Sequence, residues 1–587
     1  MLTTKPVFRF HISHLAMIAS LAAAPAFAAP ADNLPGAGQL LNQQQQLRQQ
    51  LPQRLPQGEG EAQAPAVSPQ AGPQVLVQDF HFTGADGLAG DADLQAVVAS
   101  SVGQKLNFAQ LQAVAARVTD YLKQKGWPLA HAYLPKQDVT DGHIEIAILQ
   151  GHVESKGATI VAHDDVRLSP DIIKGTVDGA LPGGAQSPSQ EDLERGVLLL
   201  NDMPGMSAHS TLERGSEPES TRVVVDTSEG PWVSGSLSAD NYGNRYTGAP
   251  QLNPEASLND PLGIGDQLTA GGTASTTGGL ELFQAGYSLP IGVDGLRFAA
   301  SYDHLKYTLD PSMAGTDANG TAQTIDAKLT YPLIRTRATS VWGGVEYSYK
   351  TLMDNVAGTT ISNRTIHDGS VNITATDNDD FGGGGMNTLL LSATTGNLDR
   401  GAVASDLQTD STTAHSNGRF EKATGSVARL QHLTDDFSFF GAVRGQLADK
   451  NLDSSEKFIL GGPTGVRAYP IGEGTGDEGW VSNLEVRYDV PQELPIGKLQ
   501  LIAFGDAGGV WLNHDAWSGA VDTATDKNTY MLAGAGIGAN LTMADAYTVR
   551  ASWAIAIGDN PGRSTTGENS DGLNRGNAFW LQAAAQF

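Results

Sequence analysis

From Pro231 to the C-terminus, apolar and polar residues alternate in short runs broken by turn residues. In the stretch 482–490, Leu484, Val486 and Tyr488 alternate with Asn483, Glu485, Arg487 and Asp489. Near the end, Tyr547, Val549, Ala551, Trp553 and Ile555 alternate with Thr548, Arg550 and Ser552, and Phe579, Leu581, Ala583, Ala585 and Phe587 oppose Gln582 and Gln586. A period of two means strands with one apolar and one polar face, the pattern of a barrel wall between lipid and a wet lumen. Room remains for about sixteen strands with unequal connections. They are expected near 232–242, 247–258, 266–276, 281–290, 295–306, 322–332, 338–350, 368–378, 385–395, 419–432, 437–449, 482–490, 498–508, 530–541, 547–557 and 577–587. Short turns (259–263, 290–295, 331–337) fall at one end, and long polar segments (350–367, 396–418, 450–481, 558–576) at the other. A soluble β-sandwich would use about half as many strands. After the first residues no apolar run is long enough for a spanning helix, so a membrane-spanning form must be a barrel.

Before Pro231 the period changes. Residues 75–152 read as a strand over Val75–Phe82, a short helix over Asp91–Ser100 and a longer helix capped by Asn107. In that helix Leu111, Val114, Ala115, Val118, Tyr121 and Leu122 keep helical spacing. Strands over Leu129–Leu134 and His143–Leu149 complete the module. Residues 153–228 repeat the order: a strand at Val153–Val161, helices at Pro170–Val177 and Ser189–Asn201, strands at Ser207–Glu213 and Thr221–Thr227. Earlier still, Leu40, Leu41, Leu47, Leu51 and Leu55 form a thin apolar stripe through a glutamine-rich segment at 29–55. Residues 56–74 are a linker rich in Pro, Gly, Ala and Gln. Residues 1–28, with Lys5 and Arg9, an apolar run and Ala26-Phe27-Ala28, read as a secretory signal peptide.

Composition narrows the function. The chain has 587 residues, a formal charge of −27 and no cysteine. Nothing basic is available to neutralise phosphates, so nucleic acid is not expected as a partner. Disulfides and thiol catalysis are absent. No HExxH, GxSxG or Walker pattern occurs. The acidic run Asp377-Asn378-Asp379-Asp380 lacks calcium-loop spacing and reads as a solvated turn. No catalytic constellation emerges, so neither an enzyme, a cofactor nor a metal site is expected.

The most specific residues lie at 461–470, Gly-Gly-Pro-Thr-Gly-Val-Arg-Ala-Tyr-Pro, and at Phe504-Gly505-Asp506-Ala507-Gly508. Val466-Arg467-Ala468-Tyr469 resembles the Val-Arg-Gly-Tyr/Phe loop motif of the two-partner secretion transporters, the hemolysin/hemagglutinin secretion-activation type. Phe504, Asp506 and Gly508 match that family's Phe-x-Asp-x-Gly strand motif in full. Ala468 departs from Gly, which tolerates φ > 0 where Ala does not. Asp240-Asn241-Tyr242-Gly243 and Tyr246-Thr247-Gly248 also resemble the family's barrel-entry region.

The resemblance implies an all-β transmembrane barrel of about sixteen antiparallel strands, preceded by two small α/β POTRA modules (75–152 and 153–228) and an N-terminal plug helix, with the barrel at 229–587. It places the protein in the outer membrane of a Gram-negative bacterium, with the modules in the periplasm. The implied partner is a secreted exoprotein carrying an N-terminal secretion domain, captured by strand addition or in a strand–helix groove. Outer-membrane lipid and the barrel-assembly machinery are the other implied partners, the latter through the terminal aromatic Phe587. Arg467 is expected to fold inward and pair with Asp506, with Glu485 as second acceptor and Tyr469, Phe504 and Gly508 around them. Alternatives are an assembly factor of the same superfamily, which usually has more POTRA modules, and a passive porin, which needs no large periplasmic part.

Overall fold

The computed structural model describes residues 34–48 and 74–587, except 138, 140, 155–156, 163–165, 182–186, 217–219, 493 and 545. The signal peptide, Leu51, Leu55 and nearly all of the linker therefore lie outside the described residues.

In the first module, Asn107 and Gln110 form a reciprocal capping box that starts the helix Phe108–Gln124. Its Leu111, Val114, Val118 and Leu122 pack on Phe80, Ile144, Ile146 and Ile148 of a three-stranded sheet. The sheet order is Asp79–Thr83, His143–Leu149, His131–Tyr133. The single strand expected over Val75–Phe82 is two strands. Gln74–Leu76 pairs with Lys105–Asn107, and the chain then changes partner, with the Gln78 N–H donating to the Gly142 carbonyl, before Asp79 joins the main sheet.

The second module centres on Ser220–Glu229, flanked by Met206–Arg214 on one side and by His152–Val153 and Thr159–Ala162 on the other. The expected strand Val153–Val161 is broken because the chain turns out of the sheet at Gly157, whose φ is +76°. This turn places the Glu154 carboxylate against Ser216 and Arg222. Helices Pro170–Ala180 and Gln190–Asn201 cover one face. The module is fastened to the barrel's short turns. Asp202 accepts from Arg335 at 2.7 and 2.8 Å, Glu194 is 3.3 Å from Arg337, and the Ser169 N–H donates to the Gly263 carbonyl.

Sixteen antiparallel strands, from Val233–Asp240 to Asn577–Gln586, close into a barrel. Each strand expected from the alternation is present. The closing seam runs from Ser236 opposite Gln586 to Asp240 opposite Gln582. Asn241 extends it by side-chain and backbone bonds to Phe579 and Leu581. The terminal Phe587 pairs with Gly235 through both backbone groups. Leu237, Phe283, Val345, Leu484, Ile537 and Trp553 lie exposed on the outer wall, as a lipid-facing surface requires.

Two connections differ from expectation. Residues 350–367 are not a loop but the paired ends of Thr339–Val356 and Thr359–Asp379, 18 and 21 residues long, joined at Ala357 and Gly358, both at positive φ. A membrane crossing needs about 9–11 residues. Above the lipid the outer face need not be apolar, so this hairpin carries no alternation to read. The segment 396–418 likewise contains a strand end at Asp399 and a helix, Ala404–Asp410.

The lumen is not empty. The helix Ala37–Arg48 lies inside it, with Leu40 and Leu41 buried against Leu280, Leu305, Tyr307, Leu352, Ile366 and Phe420 of the inner wall. Its lower end is held by Arg48, 3.1 Å from Asp303.

Candidate functional site: a loop folded into the lumen

The connection between strands Phe437–Ala448 and Glu478–Asp489 turns back into the barrel. Its tip carries Arg467 to the inner face of Lys498–Trp511. There Phe504, Asp506 and Gly508 share one face because their spacing is two. Arg467 donates from Nε to Asp506 Oδ2 at 2.8 Å and from Nη2 to Oδ1 at 2.7 Å, a bidentate pair. Its backbone N–H adds a third bond to Asp506 Oδ2, at 3.1 Å. The remaining terminal nitrogen, Nη1, donates to Glu485 Oε1 at 2.7 Å, and Glu485 also accepts from Arg487. The guanidinium carbon lies 3.5 Å from the Phe504 ring centroid, a stacking geometry that lysine cannot reproduce.

The Asp506 side chain is 0% exposed and that of Arg467 is 11% exposed. Two arginines and two carboxylates form a charge-balanced group, which burial requires. The other motif residues shape the surroundings. A Cβ on Gly508 would lie 2.4 Å from both Leu460 Cδ1 and the Trp480 carbonyl oxygen, so only glycine lets the loop approach this closely. Tyr469 is buried beside Leu460, Val466 and Tyr530. Ala468 is absent from the residues at positive φ and is buried. Its methyl group fits because Gly534 faces it, where a Cβ would stand 2.6 Å away.

All six residues singled out in the sequence come together here. Sequence reasoning missed Asn483, which donates to both Asp506 Oδ1 and the Gly465 carbonyl, and Trp580, whose Nε1 donates to the Arg467 carbonyl. Both lie inward by strand alternation, and that was their only signal. Asp379 of the acidic run is held bidentately by Arg429 at 2.7 and 2.9 Å. Among the described residues no group of His, Asp or Glu is placed to hold a metal.

A closed barrel with a polar lumen, an apolar outside and α/β modules at its short-turn end has the build of an outer-membrane channel. Residues 219–541 match the haemolysin secretion/activation protein family ShlB/FhaC/HecB, and residues 75–151 match the ShlB-type POTRA domain. The chain belongs to that family. It is 26% identical to the heme/hemopexin transporter protein HuxB of Haemophilus influenzae (strain 86-028NP), over 84% of each chain. It is 24% identical to the outer membrane transporter CdiB of Dickeya dadantii, over 74% of this chain and 77% of that one. Among solved structures, CdiB from Escherichia coli shares the fold with a TM-score of 0.67 at 22% identity, covering 96% of this chain and all of that one. BamA from Haemophilus ducreyi, solved without POTRA domains 1–3, aligns with a lower TM-score of 0.51 at 13% identity. The protein is thus an outer-membrane transporter of two-partner secretion that acts with a secreted exoprotein, and its family is a secretion channel rather than an enzyme class.

Proposed function

We propose that the structure is the resting state of an exporter for one large exoprotein. In this reading Ala37–Arg48 is a removable plug, and the Arg467 tip is a lock that holds the loop in its transport-competent position. The observation that supports it is the saturation of Arg467, whose guanidinium meets two buried carboxylates and an aromatic face at once. A chain with no other role for this loop would leave such an arginine in solvent, where a pair contributes about 0–1 kcal/mol.

The cargo enters as an extended polypeptide. In the first module the sheet leaves the outer edges of Asp79–Thr83 and His131–Tyr133 without a partner strand among the described residues, and an extended segment can add there. The barrel-assembly machinery reads the last strand with its terminal Phe587. The periplasm lacks ATP, so the driving force is folding of the cargo outside.

The test uses cells expressing the full chain, its exoprotein, and a variant lacking residues 75–151. The exoprotein's N-terminal secretion domain should bind the full chain, and both binding and export should fall in the variant while the barrel still reaches the outer membrane. Undiminished binding by the variant would remove the first module from cargo recognition.

A further inference from the structure

The inward loop is fastened to the wall at a second place, far from Arg467. Asp453 and Glu456 flank the turn by which the loop enters the lumen, and both are buried. Asp453 Oδ2 accepts from Arg364 Nη1 at 2.7 Å and lies 3.2 Å from Arg400 Nη2. Glu456 sits between Lys350 at 2.6 Å and Lys422 at 2.7 Å. Lys350, Arg364 and Lys422 belong to strands Thr339–Val356, Thr359–Asp379 and Gly418–His432, whereas the tip is held by Glu478–Asp489 and Lys498–Trp511. Carboxylates buried this deeply persist only with such partners, so the four cations fix the shape of the turn.

The helix rests on this turn. Asn42 Nδ2 donates to the Lys457 carbonyl at 2.6 Å and to the Ser454 carbonyl at 3.3 Å. A Cβ on Gly38 would stand 2.6 Å from Ser454 Oγ and 3.0 Å from the Ser455 nitrogen, so glycine is what lets the helix lie against the turn. At the helix start the Ala37 N–H donates to Asp354 Oδ1 at 2.7 Å, where a carboxylate also meets the positive end of the helix dipole. The other Asp354 oxygen accepts from Arg364 Nη2 at 2.6 Å. One guanidinium therefore joins the carboxylate at the helix N-terminus to the carboxylate of the loop. Among the described residues no hydrogen bond or ion pair of the helix reaches the 463–470 tip.

We propose that the turn 453–457 is the latch of the helix, separate from the Arg467 lock, and that Arg364 is the positioning residue coupling the turn to the helix N-terminus. Export opens the latch while the tip stays in place. The carbonyls of Ser454 and Lys457, released by Asn42, then face the lumen as acceptors for backbone N–H groups of the extended cargo. This rests on reading Ala37–Arg48 as a removable plug.

The chain has no cysteine, so Gln44→Cys, on a buried face of the helix, gives a unique reporter. The full-length protein in proteoliposomes is treated with a polyethylene glycol maleimide and the labelling rate is measured. Gly38→Leu, which leaves every ion pair intact, and Arg364→Met should each raise the rate about tenfold, the equivalent of losing one hydrogen bond of about 1.4 kcal/mol. Arg467→Ala should stay within about twofold of the parent, a change below half of one such bond. Wild-type rates in both Gly38→Leu and Arg364→Met, or an equal rise in Arg467→Ala, would overturn the latch. Single-channel conductance of a chain lacking residues 34–48 separates the two readings. Unchanged conductance there overturns the plug itself, whereas raised conductance with unmoved labelling overturns only the latch.

Discussion

The barrel lumen and the first periplasmic module place their ions differently. In the first module Val114, Val118, Ile144 and Ile146 fill the interior and the ions lie outside, where His143 and Asp79 pair in solvent. In the barrel Leu484, Ile537 and Trp553 face outward while Arg467, Asp506, Glu485, Lys350 and Glu456 lie within. The same residue types therefore do different work. A module is held by apolar burial, which is non-directional and tolerates shape-conserving exchange. The lumen adds to its apolar contacts a set of directed ion pairs, which are specific in geometry and costly to break singly.

The contrast is sharpest if one ion is removed from each side. Asp506→Ala should leave Arg467 beside a single carboxylate in a closed site, a loss on the order of 3–5 kcal/mol. Export should fall to a small fraction of the parent level with the barrel still inserted, read by exoprotein in the medium and heat-modifiable mobility. His143→Ala in the first module, whose pair with Asp79 lies in solvent, should leave export near the parent level. Equal defects in the two variants would abolish the distinction.

Next in size is Leu41→Ala on the lumenal helix. Leu41 is buried in the upper lumen, and water can refill the gap, so the loss should be near the low end for leucine, about 2 kcal/mol. Planar-bilayer recordings should show more frequent open events than in the parent chain. In the first module, Asn107→Ala removes the capping box and should cost about 1 kcal/mol, seen as faster amide exchange over Phe108–Leu111 with unchanged exchange in the second module.

The smallest effect is one of pH. In the second module hydrogen bonds from Ser216, and then from Arg222, hold the Glu154 carboxyl down at about 2 from an ordinary 4.5. A depressed carboxylate stabilises the fold above its unfolded value, and that contribution is lost as pH falls from about 4.5 through about 2. Protection of the 220–227 amides should weaken between pH 5 and pH 3, about the range bracketed by those values. Glu154→Gln should flatten that dependence. A parent protein with no change in protection over this interval would show that the pair contributes nothing there.

The barrel was legible because alternation is a local signal that lipid enforces on every crossing strand. It failed where lipid no longer acts, in the hairpin joined at Ala357-Gly358, whose outward residues mix Met353 and Ile361 with Thr351, Asn363 and Thr365. The Arg467 site was legible because its residues fall in two compact motifs. Asp453, Glu456, Lys350, Arg364 and Lys422 were not, because charges scattered over a loop and three strand ends look like solvated positions until the loop folds inward. Asn483 and Trp580 escaped for the same reason: only the register places them beside Arg467. The departure at Ala468 is explained by Gly534, a pairing of two small residues far apart in sequence.

The directed character of the lumen is tested most directly by a double-mutant cycle on Arg467 and Asp506. Export of the exoprotein is measured for the parent, Arg467→Ala, Asp506→Ala and the double variant at matched barrel levels in the outer membrane. If the tip is locked by this pair, each single variant loses most export and the double variant is little worse than either, because both remove the same interaction. Fully additive losses, or normal export by Arg467→Ala, would contradict the lock.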